Sequence, residues 1–391
     1  MSKSVMGRAG APGKILVRSP NWIGEQVLAY PFFHYLRQAF PRAHITAACV
    51  PWVESVQFRV LLDGVLVLPR REGHSPLARL RAIEGAARML RKAGPWDLGV
   101  CLPNSLSSAW MMFRAGVRVR RGYKRDGRGM LLNEGLPWEA AASTHRAEAY
   151  VLLLPPEARP DRPVEEFWGT PPENDLGPGL PGVAARFDPS RHWPMAEPID
   201  PPHGPYWVLA PGSKAESRRW PEEYFAALAR LIAEETGWTG IIVGGPGEGA
   251  VALRLSQDPG TKLLDWTGRG TVASYWRLFA GARFTVSNDS GLAHVASLCG
   301  SPVQIVWGAG DPRHTKPLGP GRVRIAFNPV SCWPCERNTC SQPQATQVQC
   351  LRGILPEIVW RELKTFCGSA WCAEPASTTM APSPWGPQPP R

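Results

Sequence analysis

The strongest constraint on the fold is a strand–loop–helix pattern that occurs in two runs along the chain. The first run has an apolar strand at 14–17, a polar loop at 18–24, helical spacing of apolar residues over 27–39 and a second strand over 43–50. This order is a βαβ unit, and repeated βαβ units build parallel sheets with helices on both faces. We therefore predict an α/β protein in which each run folds as a doubly wound parallel sheet.

The remaining elements follow the same alternation. The first run continues with predicted strands and helices at 65–68, 76–92, 98–101 and 145–154. The second run begins near Tyr206 and predicts strands at 207–210, 240–243, 262–264, 283–287 and 303–307, with helices at 221–235, 251–255 and 272–279. Ligands of such sheets bind beyond the carboxyl ends of the strands, so a cleft between the two halves is the expected site.

A proline-dense segment at 155–205 separates the two runs. Each proline removes a backbone donor and resists helix formation, which is typical of an irregular interdomain segment. We predict an N-terminal Rossmann-like domain over 14–185 and a C-terminal one over 206–350. A helix follows within 351–372, and the proline-rich tail at 373–391 is predicted to be disordered.

Composition narrows the class of protein. The chain has 391 residues, of which 43% are apolar, and it contains no apolar run near the ~20 residues that span a bilayer. No secretory signal precedes the first strand, so a cytoplasmic protein is expected. The net charge of +11 either keeps the protein soluble or favours anionic partners such as phosphorylated molecules, acidic membranes or nucleic acid. Basic residues crowd one stretch: Arg114, Arg118, Arg120, Arg121, Lys124, Arg125 and Arg128.

Two loops of the second run have residues suited to binding an anion. In SNDSGLAH, Asp289 or Ser290 can cap the following helix, whose free N–H groups attract anions, and Gly291 permits close approach of a phosphate. The loop APGSKAESRRW offers hydroxyl groups, including that of Ser213, with Lys214 and paired arginines. A capped helix and a solvated basic loop would explain each motif alone, but together they favour a diphosphate ligand.

Two carboxylates also lie in segments that follow predicted strands. Glu25 starts the first helix, where it serves either as a general base or as a charge matched to the helix dipole. Glu248 belongs to GGPGEGA at 244–250, which fits the dinucleotide-binding pattern only loosely and follows the second strand of its run. We interpret this segment as a turn with Glu248 near the ligand.

Four of the nine cysteines are close together in sequence: Cys332, Cys335, Cys340 and Cys350. Four thiolates at this density are compatible with a structural zinc site. The spacing differs from the paired CxxC motifs of a zinc ribbon, so reduced thiols or a local disulfide remain alternatives.

These motifs, in this order, resemble glycosyltransferase family 9, the bacterial ADP-heptose:lipopolysaccharide heptosyltransferases. The resemblance covers about residues 14–366 and is carried by four segments, at 15–52, 210–232, 287–320 and 332–363. It implies a GT-B fold, with two Rossmann-like doubly wound domains facing a central cleft. The N-terminal domain would bind the acceptor, and the C-terminal domain would bind the nucleotide-sugar donor.

The resemblance also implies an inverting reaction that needs no metal. A carboxylate of the first loop deprotonates the acceptor hydroxyl, and this role falls on Glu25, although the family usually has aspartate there. The phosphate-binding lysine of the family falls on Arg218. The family's nucleotide-sugar motif falls on Asp289, Ser290, Gly291 and His294, and Glu248 would contact the nucleoside.

With this resemblance, the basic stretch at 114–128 has an expected role in binding the acceptor. Arg120, Arg121, Lys124 and Arg128 would meet an anionic glycolipid acceptor, with peripheral contact at the cytoplasmic face of the inner membrane. Three alternatives stay open: a family-9-like enzyme with another nucleotide sugar or a protein acceptor, an inactive sugar-nucleotide-binding protein, and a basic zinc-containing nucleic-acid-binding protein. No nucleic-acid-binding motif supports the last of these, and we expect no nucleic-acid partner.

Overall fold

The computed structural model describes residues 11–70, 73, 75–169 and 187–368. These residues form two compact units. The first comprises the described residues up to Phe167 together with Arg191–Trp193, and the second comprises the other described residues. The chain therefore passes between the units within the proline-dense segment. The predicted tail at 373–391 lies outside the described residues.

The first unit contains a six-stranded sheet and its covering helices. Its elements are β1 (Lys14–Arg18), α1 (Ile23–Leu28), α2 (Tyr30–Ala39), β2 (His44–Cys49), β3 (Gly64–Val67), α3 (Pro76–Ala93), β4 (Leu98–Cys101), α4 (Leu106–Arg114), β5 (Val119–Lys124), β6 (Glu134–Pro137) and α5 (Arg146–Val151). The short helix α6 (Pro189–His192) lies where the chain crosses between units.

The second unit repeats this plan. Its elements are β7 (Tyr206–Ala210), α7 (Glu222–Thr236), β8 (Thr239–Ile242), α8 (Gly249–Gln257), β9 (Leu263–Asp265), α9 (Trp276–Gly281), β10 (Thr285–Asn288), α10 (Gly291–Leu298), β11 (Val303–Trp307), α11 (Pro312–Thr315), β12 (Val323–Phe327), α12 (Gln349–Arg352) and α13 (Pro356–Cys367).

Both sheets have the same topology. The strand order is β3-β2-β1-β4-β5-β6 in the first unit and, read in the same sense, β9-β8-β7-β10-β11-β12 in the second. All pairs of neighbouring strands are parallel. This is the doubly wound order 3-2-1-4-5-6 of the Rossmann fold. The predicted α/β class with two Rossmann-like domains is therefore confirmed.

Burial explains why the central strands are continuously apolar. Every residue of β7 is buried, since helices cover both faces of a parallel sheet. The Trp207 ring stacks on Phe284 with the ring centroids 5.7 Å apart, and both side chains are fully buried. The C-terminal helix α13 belongs to this unit, where the Trp360 indole donates to Glu235 at 2.7 Å. This hydrogen bond ties α13, the last described helix, to α7 of the second unit.

The segment that leaves the first unit returns to it through an aromatic cluster. The Tyr30 hydroxyl lies 3.3 Å from Nε2 of His192, and both side chains are buried. The Tyr30 ring also makes edge contacts with Phe58 and Phe167. Thus the proline-dense segment has local order on both sides of the residues that the structure does not describe. Among the described helices, none is long and apolar enough to cross a membrane.

Two arginines of the basic stretch, Arg121 and Arg128, are buried in the first unit. Arg121 of β5 is buried and forms an ion pair with Glu134 of β6 at 2.9 Å. Arg128 is fully buried, and its guanidinium donates to the carbonyls of Tyr123 and Pro103 and to the side chain of Asn104. These donors satisfy backbone oxygens at the carboxyl ends of β4 and β5.

We predict that Arg128→Ala destabilises the protein by about 3 kcal/mol, because it leaves several buried acceptors without a donor. The matched control is Arg114→Ala, since the Arg114 side chain is 51% exposed and its contacts, an ion pair with Glu84 and the Trp110 ring, lie at the surface. That change should cost less than about 1 kcal/mol. Urea unfolding measures both values, and equal midpoints for the two variants would contradict a structural role for Arg128.

Candidate active site

The predicted site residues follow the strands next to the point where the winding of each sheet reverses. In the first unit this point lies between β1 and β4, and in the second it lies between β7 and β10. Loops diverge there and leave a crevice at the carboxyl ends of the strands. Glu25 follows β1, whereas Ser213 follows β7 and Asp289 follows β10. Each unit therefore presents polar groups at its own reversal point.

Glu25 lies in the first turn of α1 and keeps 31% of its side-chain surface exposed. Its Oε1 is 4.0 Å from Nε of Arg146, and its carboxylate accepts a hydrogen bond from the hydroxyl of Tyr150. Close packing around the carboxyl group raises the pKa of Glu25 above its ordinary value, and Arg146 and Tyr150 offset part of that rise. A carboxylate with a raised pKa is better matched to accepting a proton near neutral pH.

Arg146 and Tyr150 were missed by sequence reasoning. Both project from α5 at positions i and i+4, which places them on one face of that helix. Burial raises the pKa of Tyr150 well above its ordinary value, so its phenol stays protonated and donates to Glu25. The helical spacing was visible in the sequence, but nothing in it showed that α5 packs beside α1.

The two anion-suited loops of the second unit are joined by Asn288, at the end of β10. Its fully buried side chain donates to the carbonyl of Pro211 and accepts from the backbone N–H of Trp220 at 3.0 Å. The Ser213 hydroxyl donates to the carbonyl of Asp289 at 3.1 Å. The structure therefore brings together Ser213 and Asp289, as the sequence predicted, and adds Asn288 as the residue that fixes both loops.

Arg218 and Asp289 form an ion pair within this arrangement. Nη1 of Arg218 is 3.0 Å from Oδ2 of Asp289, and the side chains are 30% and 5% exposed, respectively. Burial raises the pKa of Asp289, and the charge of Arg218 opposes that shift. Lys214 is exposed on the same loop. A partly exposed guanidinium held by a buried carboxylate has donors free to meet an anion.

The start of α10 differs from the predicted capped helix. Ser290 occupies the N-cap position, but its side chain makes no cap hydrogen bond, and its hydroxyl lies 3.2 Å from that of Ser287. Gly291 is the first helical residue, and His294 is buried one turn later. Since the Ser290 side chain does not cap the helix, the N–H groups of the first turn remain suited to an anion.

Glu248 occupies a space that two glycines provide. It ends a short 3₁₀ turn before α8, and its Oε2 accepts from the backbone N–H of Gly245 at 2.8 Å. A Cβ atom at Gly212 or Gly244 would lie 1.5 Å or 2.2 Å from its carboxyl oxygens. Glu248 therefore sits between the loops that follow β7 and β8, and burial raises the pKa of its carboxyl group.

The predicted acceptor-binding residues and cysteines are placed as follows. Lys124 is exposed at the end of β5, and Arg120 is half-buried with its guanidinium over the Phe113 ring. Cys332, Cys335 and Cys340 line one pocket of the second unit. Within the described ranges, no three His, Cys, Asp or Glu side chains are arranged to hold a metal ion. The zinc site at these cysteines and Cys350 therefore stays a prediction from spacing, which the arrangement of the described side chains does not support.

Comparisons with known proteins found relatives in both sequence and fold. The chain is 26% identical over 323 residues to lipooligosaccharide heptosyltransferase 2 of Haemophilus ducreyi, covering 80% of this chain and 88% of the relative. It superposes on the structure of Escherichia coli ADP-heptose lipopolysaccharide heptosyltransferase II with a TM-score of 0.64 and 21% identity, covering 90% and 98% of the two chains. It superposes on E. coli heptosyltransferase WaaC with ADP with a TM-score of 0.65 and 19% identity, covering 90% and 99%.

The two solved structures support the two-domain α/β fold of the GT-B class. The model of glycosyltransferase family 9 (heptosyltransferase) matches residues 86–346, which is more than half of the chain. Together with the paired Rossmann-like sheets and the polar loops at their reversal points, this match shows that the chain belongs to glycosyltransferase family 9.

Proposed function

We propose that this protein is a metal-independent, inverting glycosyltransferase that moves heptose from ADP-heptose to an inner-core lipopolysaccharide acceptor. The observation that carries the proposal is Glu25, a carboxylate with a raised pKa at the reversal point of the first sheet. The names of the relatives support heptose as the sugar and lipopolysaccharide as the acceptor.

Glu25 is the general base of the proposed reaction. An acceptor hydroxyl gives its proton to the Glu25 carboxylate, and its oxygen bonds to the anomeric carbon of the donor. The bond from that carbon to the diphosphate oxygen breaks on the opposite face, which inverts the configuration and releases ADP. Tyr150 and Arg146 orient the carboxylate, and orientation matters because glutamate carries one methylene more than the aspartate usual in the family.

The loops after β7 and β10 hold the leaving diphosphate. Arg218 provides a guanidinium that can bind two phosphate oxygens, and Lys214 adds a second positive charge. The backbone N–H groups at Gly291 and the Ser290 hydroxyl stabilise negative charge as it develops on the leaving group. Asp289 fixes Arg218, His294 lines the same site, and Glu248 meets the nucleoside.

The acceptor is proposed to approach the carboxyl edge of the first sheet. Of the four basic residues assigned to the acceptor, Lys124 has an exposed amine and Arg120 is partly exposed. Arg121 and Arg128 are buried, and their role in the proposal is to support the surrounding structure. The net charge of +11 favours peripheral contact with the anionic cytoplasmic face of the inner membrane.

The first prediction from this proposal concerns the base. Glu25→Gln should lower kcat for heptose transfer at least about a hundredfold, because the amide cannot accept the proton. Donor affinity should not change. Glu157→Gln, at an exposed position of the same unit, is the control and should retain full activity. Full activity of Glu25→Gln would show that another group is the base.

The second prediction concerns the diphosphate. Arg218→Ala should weaken binding of ADP-heptose and of ADP at least about tenfold, since a charge-assisted hydrogen bond is worth about 1.5–3 kcal/mol. The control is Arg254→Ala, because Arg254 is 58% exposed and pairs with Glu222 on the surface of the same unit. Calorimetric titration measures both, and selective binding of another nucleotide sugar would change the assigned donor.

The third prediction concerns pH. The Tyr150 hydrogen bond lowers the pKa of Glu25, so Tyr150→Phe should raise it. Less Glu25 is then ionised at a given pH, and the acidic limb of kcat/KM should move to higher pH. In Tyr123→Phe the limb should stay in place, because the Tyr123 hydroxyl donates to the Ala149 carbonyl and not to Glu25. An unchanged limb in Tyr150→Phe would contradict the assignment.

A further inference from the structure

Two tryptophans of the first unit have unusual exposure. Trp22 and Trp52 each have 54% of their surface exposed to solvent. The other tryptophans in the described ranges are buried or only partly exposed. Tryptophan has a large apolar surface and is highly buried on average. Two exposed indoles at one edge of a sheet are therefore typical of a binding surface.

Both indoles lie at the edge of the sheet that carries Glu25. Trp22 immediately precedes α1, three residues before Glu25, and Trp52 lies in the turn that follows β2. Strands β1 and β2 are parallel neighbours, so the loops after them leave the sheet at the same edge. An acceptor that places a hydroxyl at Glu25 therefore binds at the edge of the sheet from which these two loops leave.

Hydrogen bonds from Trp52 and Arg18 hold the loop that carries Trp22 in place. The Trp52 indole Nε1 donates to the carbonyl of Asn21 at 2.7 Å, which ties the two tryptophan loops together. The Asn21 side chain accepts from Arg18, a buried residue that also donates to the carbonyls of Ser19 and Ala48. Because its N–H is already used, Trp52 offers a ligand its ring face and not a hydrogen bond.

We propose that Trp22 and Trp52 form a carbohydrate-binding platform on which a sugar ring of the acceptor stacks while its hydroxyl reaches Glu25. The face of an indole carries partial negative charge and attracts the weakly positive C–H groups of a sugar ring. Stacking covers the apolar face of the sugar and leaves its hydroxyls at the ring edge. This inference rests on the proposed function and adds the residues that select a sugar at the acceptor position.

Charge favours an uncharged sugar ring over a membrane surface. The segments 19–30 and 50–57, which contain the two tryptophans, have no lysine or arginine and carry Glu25 and Glu54. Indoles that anchor a protein to an anionic bilayer are accompanied by basic residues on the same surface.

The test separates saccharide binding from transfer and from membrane contact. Trp22→Ala and Trp52→Ala are compared with wild type for binding of the lipid-free saccharide portion of the acceptor, by saturation-transfer NMR and calorimetry. The KM values for acceptor and donor, binding to anionic phosphatidylglycerol vesicles and the unfolding midpoint are measured in parallel. Trp22→Phe and Trp52→Phe retain a smaller ring, and Leu80→Ala, at a 50% exposed position of the same unit, is the control.

We expect each alanine variant to bind the saccharide at least about tenfold more weakly, with a matching rise in acceptor KM. Donor KM should be unchanged in both alanine variants, and Trp22→Ala should also leave the unfolding midpoint unchanged. Trp22→Phe should recover most of the affinity, whereas Trp52→Phe lacks the N–H that is bonded to Asn21 and should recover less. Unchanged saccharide affinity in the alanine variants, or no saccharide binding by wild type, would overturn the platform. Loss of vesicle binding alone would assign the tryptophans to the membrane. Saccharide binding without heptose transfer would refute the proposed reaction and keep the platform.

Discussion

The organisation of the second unit depends on one buried amide, that of Asn288. It accepts the backbone N–H of Trp220 and donates to the carbonyl of Pro211, so both polar groups of the side chain are satisfied inside the protein. The two partners lie in the connection between β7 and α7, which also contains Ser213 and Arg218. Buried polar networks of this kind specify one arrangement, because breaking one partner leaves the others unpaired. These two hydrogen bonds of Asn288 hold the loop that carries Arg218, and they thereby position the Arg218 guanidinium next to Asp289.

The two units place different side chains on one topology. Both sheets follow the order 3-2-1-4-5-6. The candidate site loops follow β1 in the first unit, and they follow β7 and β10 in the second unit. In the first unit the loop after β1 carries an acid, which α5 surrounds with a phenol and a guanidinium. In the second unit the corresponding loops carry backbone donors and cations. In the proposed reaction the fold supplies equivalent places, and the side chains at those places decide whether a proton or an anion is bound.

The sequence predicted those elements whose apolar pattern is uninterrupted. The units β1–α1–β2, β7–α7–β8 and β10–α10 were all recognisable, because buried parallel strands leave little room for polar residues. Strand β5 was not predicted, because arginines occupy positions that are normally apolar. Strand β6 and helix α4 were not predicted either. Arg121 and Arg128 became core residues only through Glu134 and a set of backbone carbonyls, and such partners are not visible in a single sequence. Likewise, the contact of Tyr150 with Glu25 depends on the packing of α5 beside α1, which periodicity does not encode.

The space around Glu248 links three positions that are distant in the chain. Gly212 and Gly244 belong to different loops, yet each would place a methyl group within the carboxyl group of the same glutamate. Tolerance to substitution at positions 212 and 244 is therefore set by the size of the side chain at position 248. A smaller residue there would act as a suppressor for alanine at either glycine, at the loss of the carboxylate. In genetic terms, a substitution at position 212 or 244 is expected to be epistatic with the residue at position 248, because both glycine positions meet the same side chain.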